Sequence, residues 1–230
     1  MLNIQTWIEG TAPLFLVSFK GASNMLQVEL WVEGLMPLLQ HRATEEALAG
    51  DTRPNTIGER PDPRDQAEAV VYRNPKNRQL YCPGTYFARM IREAGGSHKA
   101  KGSRKSLKYL VPAALIITDE ICPLFLPDRK TPITDYEVDS RPVTIPSTKG
   151  RIMRHRPRIN DWTCLVHMRL NEQLIAEATI RQLFVEGLQQ IGIGDFRPTF
   201  GTSTVVSWNV SEQKLTNSQR RNAGLRVAAE

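Results

Sequence analysis

Hydrophobic and polar residues alternate over "LQVELWVE" (26–33): Val28, Leu30 and Val32 fall on one side, Gln27, Glu29 and Glu33 on the other. That is the pattern of a half-buried strand, and Gly34 and Pro37 end it. "TCLVHMRL" (163–170) alternates in the same way, with Cys164, Val166, Met168 and Leu170 facing together. Between them the period changes to that of a helix. In "YCPGTYFARMIREAGG" (81–96), Phe87, Met90, Ile91 and Ala94 share one stripe, Pro83 suits a first turn, and Gly95-Gly96 stops it. A second helix follows the second alternating run, with Ile180, Leu183, Phe184, Leu188 and Ile191 along one side. "YLVPAALIIT" (109–118) predicts a strand broken by Pro112, and "IGIGDFRPTFGTSTVVSWNV" (191–210) a Gly-rich loop feeding a β-branched strand.

The remaining stretches are less periodic. Residues 40–66 read as a long excursion with one helical turn near Glu45 to Leu48. The Pro-rich region 119–160 predicts a protruding hairpin with a basic rim in its second half. "WIEGTAPL" (7–14) matches "WVEGLMPL" (31–38), either as a duplicated strand and turn or by chance. The order is strand, helix, strand, irregular hairpin, strand, helix, strand: an α+β, ferredoxin-like split βαβ layout, which RNA-recognition modules also use. The expected organisation is an N-terminal extension or duplicated strand (1–24), a core over 25–210 with insertions at 36–80 and 119–160, and a flexible or docking tail (211–230).

A 230-residue chain with 40% hydrophobic residues can fill a core of its own. No stretch reaches the roughly eighteen apolar residues of a membrane span, and Glu9 interrupts the N-terminal apolar run, so the expectation is a cytoplasmic protein without membrane contact. Cys82, Cys122 and Cys164 form no CxxC pair and read as buried thiols rather than disulfide or zinc ligands. Charge changes the picture more. The net +6 is clustered: "HKAKGSRKSLK" (98–108) holds five Lys and Arg and no acid, and "RPVTIPSTKGRIMRHRPR" (141–158) holds six and no acid. Lys99, Lys101, Arg104 and Lys105 in the first, and Lys149, Arg151, Arg154, Arg156 and Arg158 in the second, suit a polyanionic single strand; each run alone could equally be a solvated loop.

At the first helix, start amides beside the small Gly84, with Arg89 and Arg92 behind, suit a phosphate; the same helix can instead simply pack on the sheet. Gly192 and Gly194 follow a helix and precede a strand, the reverse of a dinucleotide-binding loop, so they read as a turn or an anion contact. Tyr86, Phe87, Phe196 and Phe200 are candidates for base stacking, although Phe87 lies on the core stripe. His41, beside Arg42, is the one candidate for acid–base chemistry and has no evident partner; His98, His155 and His167 show no ligand spacing. No metal, cofactor or catalytic set is expected.

"YCPGTYFARMIREAG" resembles the Pro-Gly-Ser-Ser-Leu signature at the first helix of the RAMP superfamily, the ferredoxin-like RNA-binding proteins of CRISPR systems, and "IGIGDFRPTFGTSTVV" resembles its Gly-rich loop and last strand. The nearest subset is the seventh Cas family of backbone subunits and related phage and plasmid proteins. The resemblance implies that Pro83, Gly84 and Thr85 lie near the RNA backbone, with Arg89, Arg92, Gly192, Gly194, Gly201 and Arg197. It further implies a non-catalytic subunit whose partners are guide RNA or another single-stranded nucleic acid, copies of itself and other effector-complex subunits. "FRPTFG" departs from the family's richer run of glycines, and "GLMPLLQHR" lacks the Asp with which some members cut RNA. The alternatives are a single-strand binding or annealing protein of a mobile element, and an endoribonuclease using His41.

Overall fold

The computed structural model describes residues 25–43, 62–100, 102–144 and 149–212. The 7–14 repeat, the turn near Glu45, Lys101 and the tail beyond Glu212 lie outside the described residues. Strand β1 (Met25–Gly34) sits between β8 (Thr163–Asn171) and β9 (Ser203–Glu212), antiparallel to both. The far side of β8 carries β4 (Leu115–Ile117) and β5 (Ile121–Phe125), and β5 in turn pairs with β3 (Tyr81–Pro83). The sheet order β3-β5-β8-β1-β9, with β4 also on β8, is the antiparallel arrangement of a ferredoxin-like α+β fold.

Alternation in the sequence becomes the two faces of this sheet. Val28, Leu30, Val32, Cys164, Val166, Met168 and Leu170 are buried against helices α2 (Gly84–Ala94) and α4 (Glu177–Gln190). The stripe of α2, Phe87, Met90, Ile91 and Ala94, is buried, and each large side chain contributes on the order of 2 kcal/mol by leaving water. Gly187 of α4 lets Met90 and Ala94 approach closely, since a Cβ there would meet Ala94 Cβ at 3.2 Å. The three cysteines, distant in sequence, converge across β3, β5 and β8: Cys82 is in register with Cys122, and Cys164 Sγ lies 3.6 Å from the Cys122 carbonyl oxygen. All are free and buried, and burial pushes the Cys164 thiol well above its usual pKa.

A second, three-stranded sheet is built by β2 (Leu38–Leu39), β7 (Arg151–Ile159) and β6 (Glu137–Thr144) in the order β2-β7-β6. The expected basic hairpin is thus present as β6–β7, from Glu137↔Arg158 to Thr144↔Arg151. Helix α1 (Pro63–Val70), which the sequence pattern did not reveal, is capped by Asp62 and seats this sheet. Glu68 of α1 accepts two hydrogen bonds from Arg73 (2.8 and 2.9 Å) and one from Tyr136 (2.8 Å), and the Arg64 guanidinium stacks on Tyr136 at 4.2 Å. Buried Gln40 ties β2 to the core, donating to the Tyr81 carbonyl and accepting from the Tyr72 amide, both at 2.9 Å. One expectation is corrected at 109–118. Pro112 does not interrupt a strand there but lies in the first turn of a short helix, α3 (Val111–Ala114), where its missing N–H costs nothing, and only Leu115–Ile117 is strand.

Candidate nucleic-acid interface

The Gly-rich loop docks on the end of β2. Asp195 and Gly201 donate backbone hydrogen bonds to the Leu39 and Pro37 carbonyls, both at 2.9 Å. Its glycines are required by this packing: Gly194 and Gly201 take φ of +81° and +71°, and a Cβ would meet the Leu39 carbonyl oxygen at Gly194 and the Ile193 carbonyl oxygen at Gly201. Gly192 has a positive φ as well. Phe196 holds φ +59°, an uncommon conformation for a bulky residue, and remains 39% exposed, whereas Phe200 is buried.

The β6–β7 hairpin lies over this loop. Successive residues of a strand face opposite ways, so Arg154 and Arg156 share a face with their cross-strand partners Arg141 and Asp139. Arg156, 6% exposed, places Nε 2.6 Å from Asp195 Oδ2 and its guanidinium 5.0 Å from the centre of the Phe196 ring. The pair is close by distance, yet the Nε–H is not aimed at the carboxylate well enough to count as a hydrogen bond, and Nη1 has no partner either. Arg141 pairs with Asp139 at 2.5 Å and covers Phe200 and Phe196 at 4.6 and 5.5 Å. Arg141 therefore belongs to the cluster, although its ring contacts span more than fifty positions of sequence. Like charges at Arg141 and Arg154 stand directly opposite; Asp139 offsets the first, and Arg154 is exposed with no ion pair among the described residues. Lys149 and Arg151 at the turn are likewise exposed and unpaired among the described residues. Arg158 donates to Asn160 at 3.0 Å and lies toward the base of the hairpin.

His41 sits beneath this junction. Burial lowers its pKa, Asp195 pulls it up, and Arg156 and Arg154 push it further down, so the ring is held neutral near pH 7. Its Nδ1 is buried without a hydrogen-bond partner. Among the described residues, the charged groups that act on it are the Asp195 carboxylate, which is engaged with Arg156, and the guanidinium groups of Arg156 and Arg154.

The other expected residues divide between the two ends of α2. At its C-terminal end, Glu93 accepts from Arg89 (3.1 Å) and from Arg197 of the Gly-rich loop (3.0 Å), and these bonds outweigh burial to hold its carboxyl below the usual range. Arg197 also donates to the Gly192 carbonyl at 3.3 Å, so it is spent on positioning the loop. The basic loop 98–108 folds back on the same end. The Ser106 hydroxyl and the Lys108 amide both donate to the Gly95 carbonyl at 3.0 Å, and His98 contacts Glu186 of α4 at 2.7 Å. Lys99, Arg104 and Lys105 are exposed there.

The start of α2 lies about 15 Å away along the helix axis. The Gly84 amide donates to the Glu120 carbonyl at 3.1 Å, and the space where a Cβ would stand is filled by the Asp119 carbonyl oxygen. The Gly84 amide is thus taken by the backbone, and the missing Cβ serves close backbone packing at the helix start. Thr85, Arg89 and Arg92 are exposed along a groove of about 790 Å³ whose other wall includes Asp119 and Glu120. The structure thus joins the hairpin, the Gly-rich loop and loop 98–108 through the C-terminal end of α2, and leaves the helix start apart.

No family model matches the sequence, and no curated protein resembles it significantly. Among solved structures, the fold is similar to a chain of the type III-B Cmr-beta assembly bound to cognate target RNA, with a TM-score of 0.51 and 10% identity over 82% of this chain and 61% of that one. A crystal structure of Cmr6 from Pyrococcus furiosus aligns with a TM-score of 0.44 and 9% identity over 79% of this chain and 98% of that one. The chain spans about three fifths of the length of the first of these, and that likeness shows a shared fold.

Proposed function

We propose that this chain binds single-stranded RNA where the β6–β7 hairpin overlies the Gly-rich loop, and that it serves as a backbone subunit of a CRISPR-type ribonucleoprotein, adding copy to copy along a guide RNA. The observation that carries the reading is the convergence of Arg141, Arg154 and Arg156 with Phe196 and Phe200, three cations and two rings drawn from separate parts of the chain. Arg156 and Arg141 hold the rings in place, exposed Phe196 offers a face on which a base can stack, and Arg154, Arg151 and Lys149 meet phosphates. Lys99, Arg104 and Lys105 extend the cationic track past the C-terminal end of α2, with Arg92 along its side. Such contacts read backbone and ring faces rather than base identity, as a subunit that must accept any guide sequence requires. The two sequence motifs resembling the RAMP superfamily, and the fold shared with a chain of an RNA-bound assembly, support this reading.

Head-to-tail contacts between identical copies generate open helices rather than closed rings. Extracting and sequencing the nucleic acid that travels with the purified protein, and sizing the particle by light scattering, tests both parts. The expected result is RNA in a particle many times the mass of one chain. A monomer free of nucleic acid at low salt would contradict it, and recovery of DNA alone would favour the mobile-element annealing protein instead.

A further inference from the structure

Strand β4 has an edge that the main sheet does not use. It lies on the same flank of β8 as β5, and β5 is covered in turn by β3. The chain leaves β3 at Pro83 to enter α2, so among the described residues no strand stands beside β4 on its outer side. Register and hydrogen bonding show which backbone groups are left over. The Thr118 amide donates to the His167 carbonyl at 3.0 Å, so Thr118 and Ile116 turn their backbone groups to β8, and Leu115 and Ile117 turn theirs away from it. The Leu115 amide is spent on the Val111 carbonyl at the end of α3. The Leu115 carbonyl and both groups of Ile117 are left without a backbone partner among the described residues.

These groups border the groove of about 790 Å³ between β4 and α2. Its lining is mostly apolar, with Ala88 and Ile91 from α2, Pro112 from α3, and Leu115 and Ile116 from β4. Ile116, on the opposite face of the strand from Leu115 and Ile117, stays 47% exposed. Free charge stands at the two ends. Glu120 marks the end where α2 begins, since its carbonyl accepts from the Gly84 amide at 3.1 Å. Arg92 lies about 12 Å further along the helix from Gly84. Both are exposed and without an ion pair among the described residues. Between them, Arg89 is engaged by Glu93 at 3.1 Å and Asp119 by His167 at 2.7 Å.

We infer that this groove receives an extended segment of another protein, which adds a short antiparallel strand to β4. One residue of the segment donates its N–H to the Ile117 carbonyl and accepts from the Ile117 amide; the residue two further on donates to the Leu115 carbonyl. Apolar walls select aliphatic side chains at these two positions, and exposed Ile116 selects a third between them. Because β4 runs from the Arg92 end of the groove to the Glu120 end, an antiparallel segment enters beside Glu120 and leaves beside Arg92. The separation of about 12 Å corresponds to about four residues of strand, so the pattern recognised is basic, three aliphatic, acidic. The two charges fix the direction of the segment, and the backbone bonds fix its register. This inference does not rest on the cationic surface, which lies on the hairpin and the Gly-rich loop.

The experiment measures fluorescence anisotropy of a labelled peptide, Ser-Lys-Val-Ile-Val-Glu-Ser, titrated with the full chain. Saturable binding is expected. Exchanging Lys and Glu in the peptide should weaken it about tenfold, and the Arg92→Glu, Glu120→Arg double variant should reverse that preference. N-methylation of the two valines removes both donors to β4 and should abolish binding. Ala88→Trp fills the groove from an exposed helical position; it should weaken binding at least about tenfold while melting temperature and RNA affinity in filter binding stay at wild-type values. No saturable binding by the wild-type chain overturns the inference, and so does equal affinity for the N-methylated peptide. Displacement of the peptide by a single-stranded RNA oligonucleotide would assign the groove to nucleic acid and overturn it as well.

Discussion

Replacing Arg156 with Ala removes the side chain that pins the basic hairpin to the Gly-rich loop. Fully buried ion pairs cost about 3–5 kcal/mol when broken from one side, and exposed pairs under about 1. Here the arginine side chain is 8% exposed and that of Asp195 35%, so water can reach the stranded carboxylate and the pair falls between, at about 2 kcal/mol. Losing the guanidinium that lies 5.0 Å from the Phe196 ring adds about 0.5–1 kcal/mol. The sum, about 3 kcal/mol, lowers the melting temperature by about 6–12 °C in a chain of this size. Arg156→Lys keeps the charge but loses the flat stack, and should recover about half of that. Urea titration of Arg156→Ala, Asp195→Asn and the double variant isolates the pair, with a coupling of about 1–2 kcal/mol expected. Stability of Arg156→Ala within about 0.5 kcal/mol of wild type would mean that the hairpin is not anchored here.

Other positions give independent checks. Gly201→Ala should cost about 2–3 kcal/mol in urea unfolding, because its φ is +71° and a Cβ would run into the Ile193 carbonyl. Gly102→Ala, with a similar φ of +70° and nothing within 4 Å, should cost only about 1 kcal/mol; equal losses would show that the collision is not real. Burial, opposed by Asp195 and reinforced by Arg156 and Arg154, lowers the His41 pKa, so the unfolded chain binds more protons than the folded one between that lowered value and about 6.5. Stability contributed by this group is complete above about pH 6.5 and declines as pH falls through the window, and His41→Gln should flatten that part of a plot of stability against pH; an unchanged slope would refute the assignment.

The parts of the fold built on repeating patterns were legible in the sequence. Alternation located β1 and β8, the helical stripes located α2 and α4, and the sheet order follows from their succession. Helix α1 was not legible, because Ala67 is the one buried residue of its eight and its role rests on Glu68 contacting Arg73 and Tyr136. At 109–118 the apolar run suited both strand and helix, and the structure divides it between them. Charge clustering marked the hairpin as a candidate surface, but no local pattern shows that Arg156 would be consumed by Asp195 or Arg197 by Glu93. The free edge of β4 was not legible either, because it follows from the chain leaving β3 to enter α2 and not from any pattern within Leu115–Ile117.

The salt dependence of RNA binding puts the cationic surface to its sharpest trial. Each phosphate neutralised on a single strand contributes about 0.7 to the slope of log affinity against log salt concentration, so replacing Lys149, Arg151 and Arg154 together with Gln should reduce that slope by about 2. The same variant should keep the wild-type melting temperature, since none of the three is buried or ion-paired among the described residues. An unchanged slope and affinity would place the RNA elsewhere on the molecule.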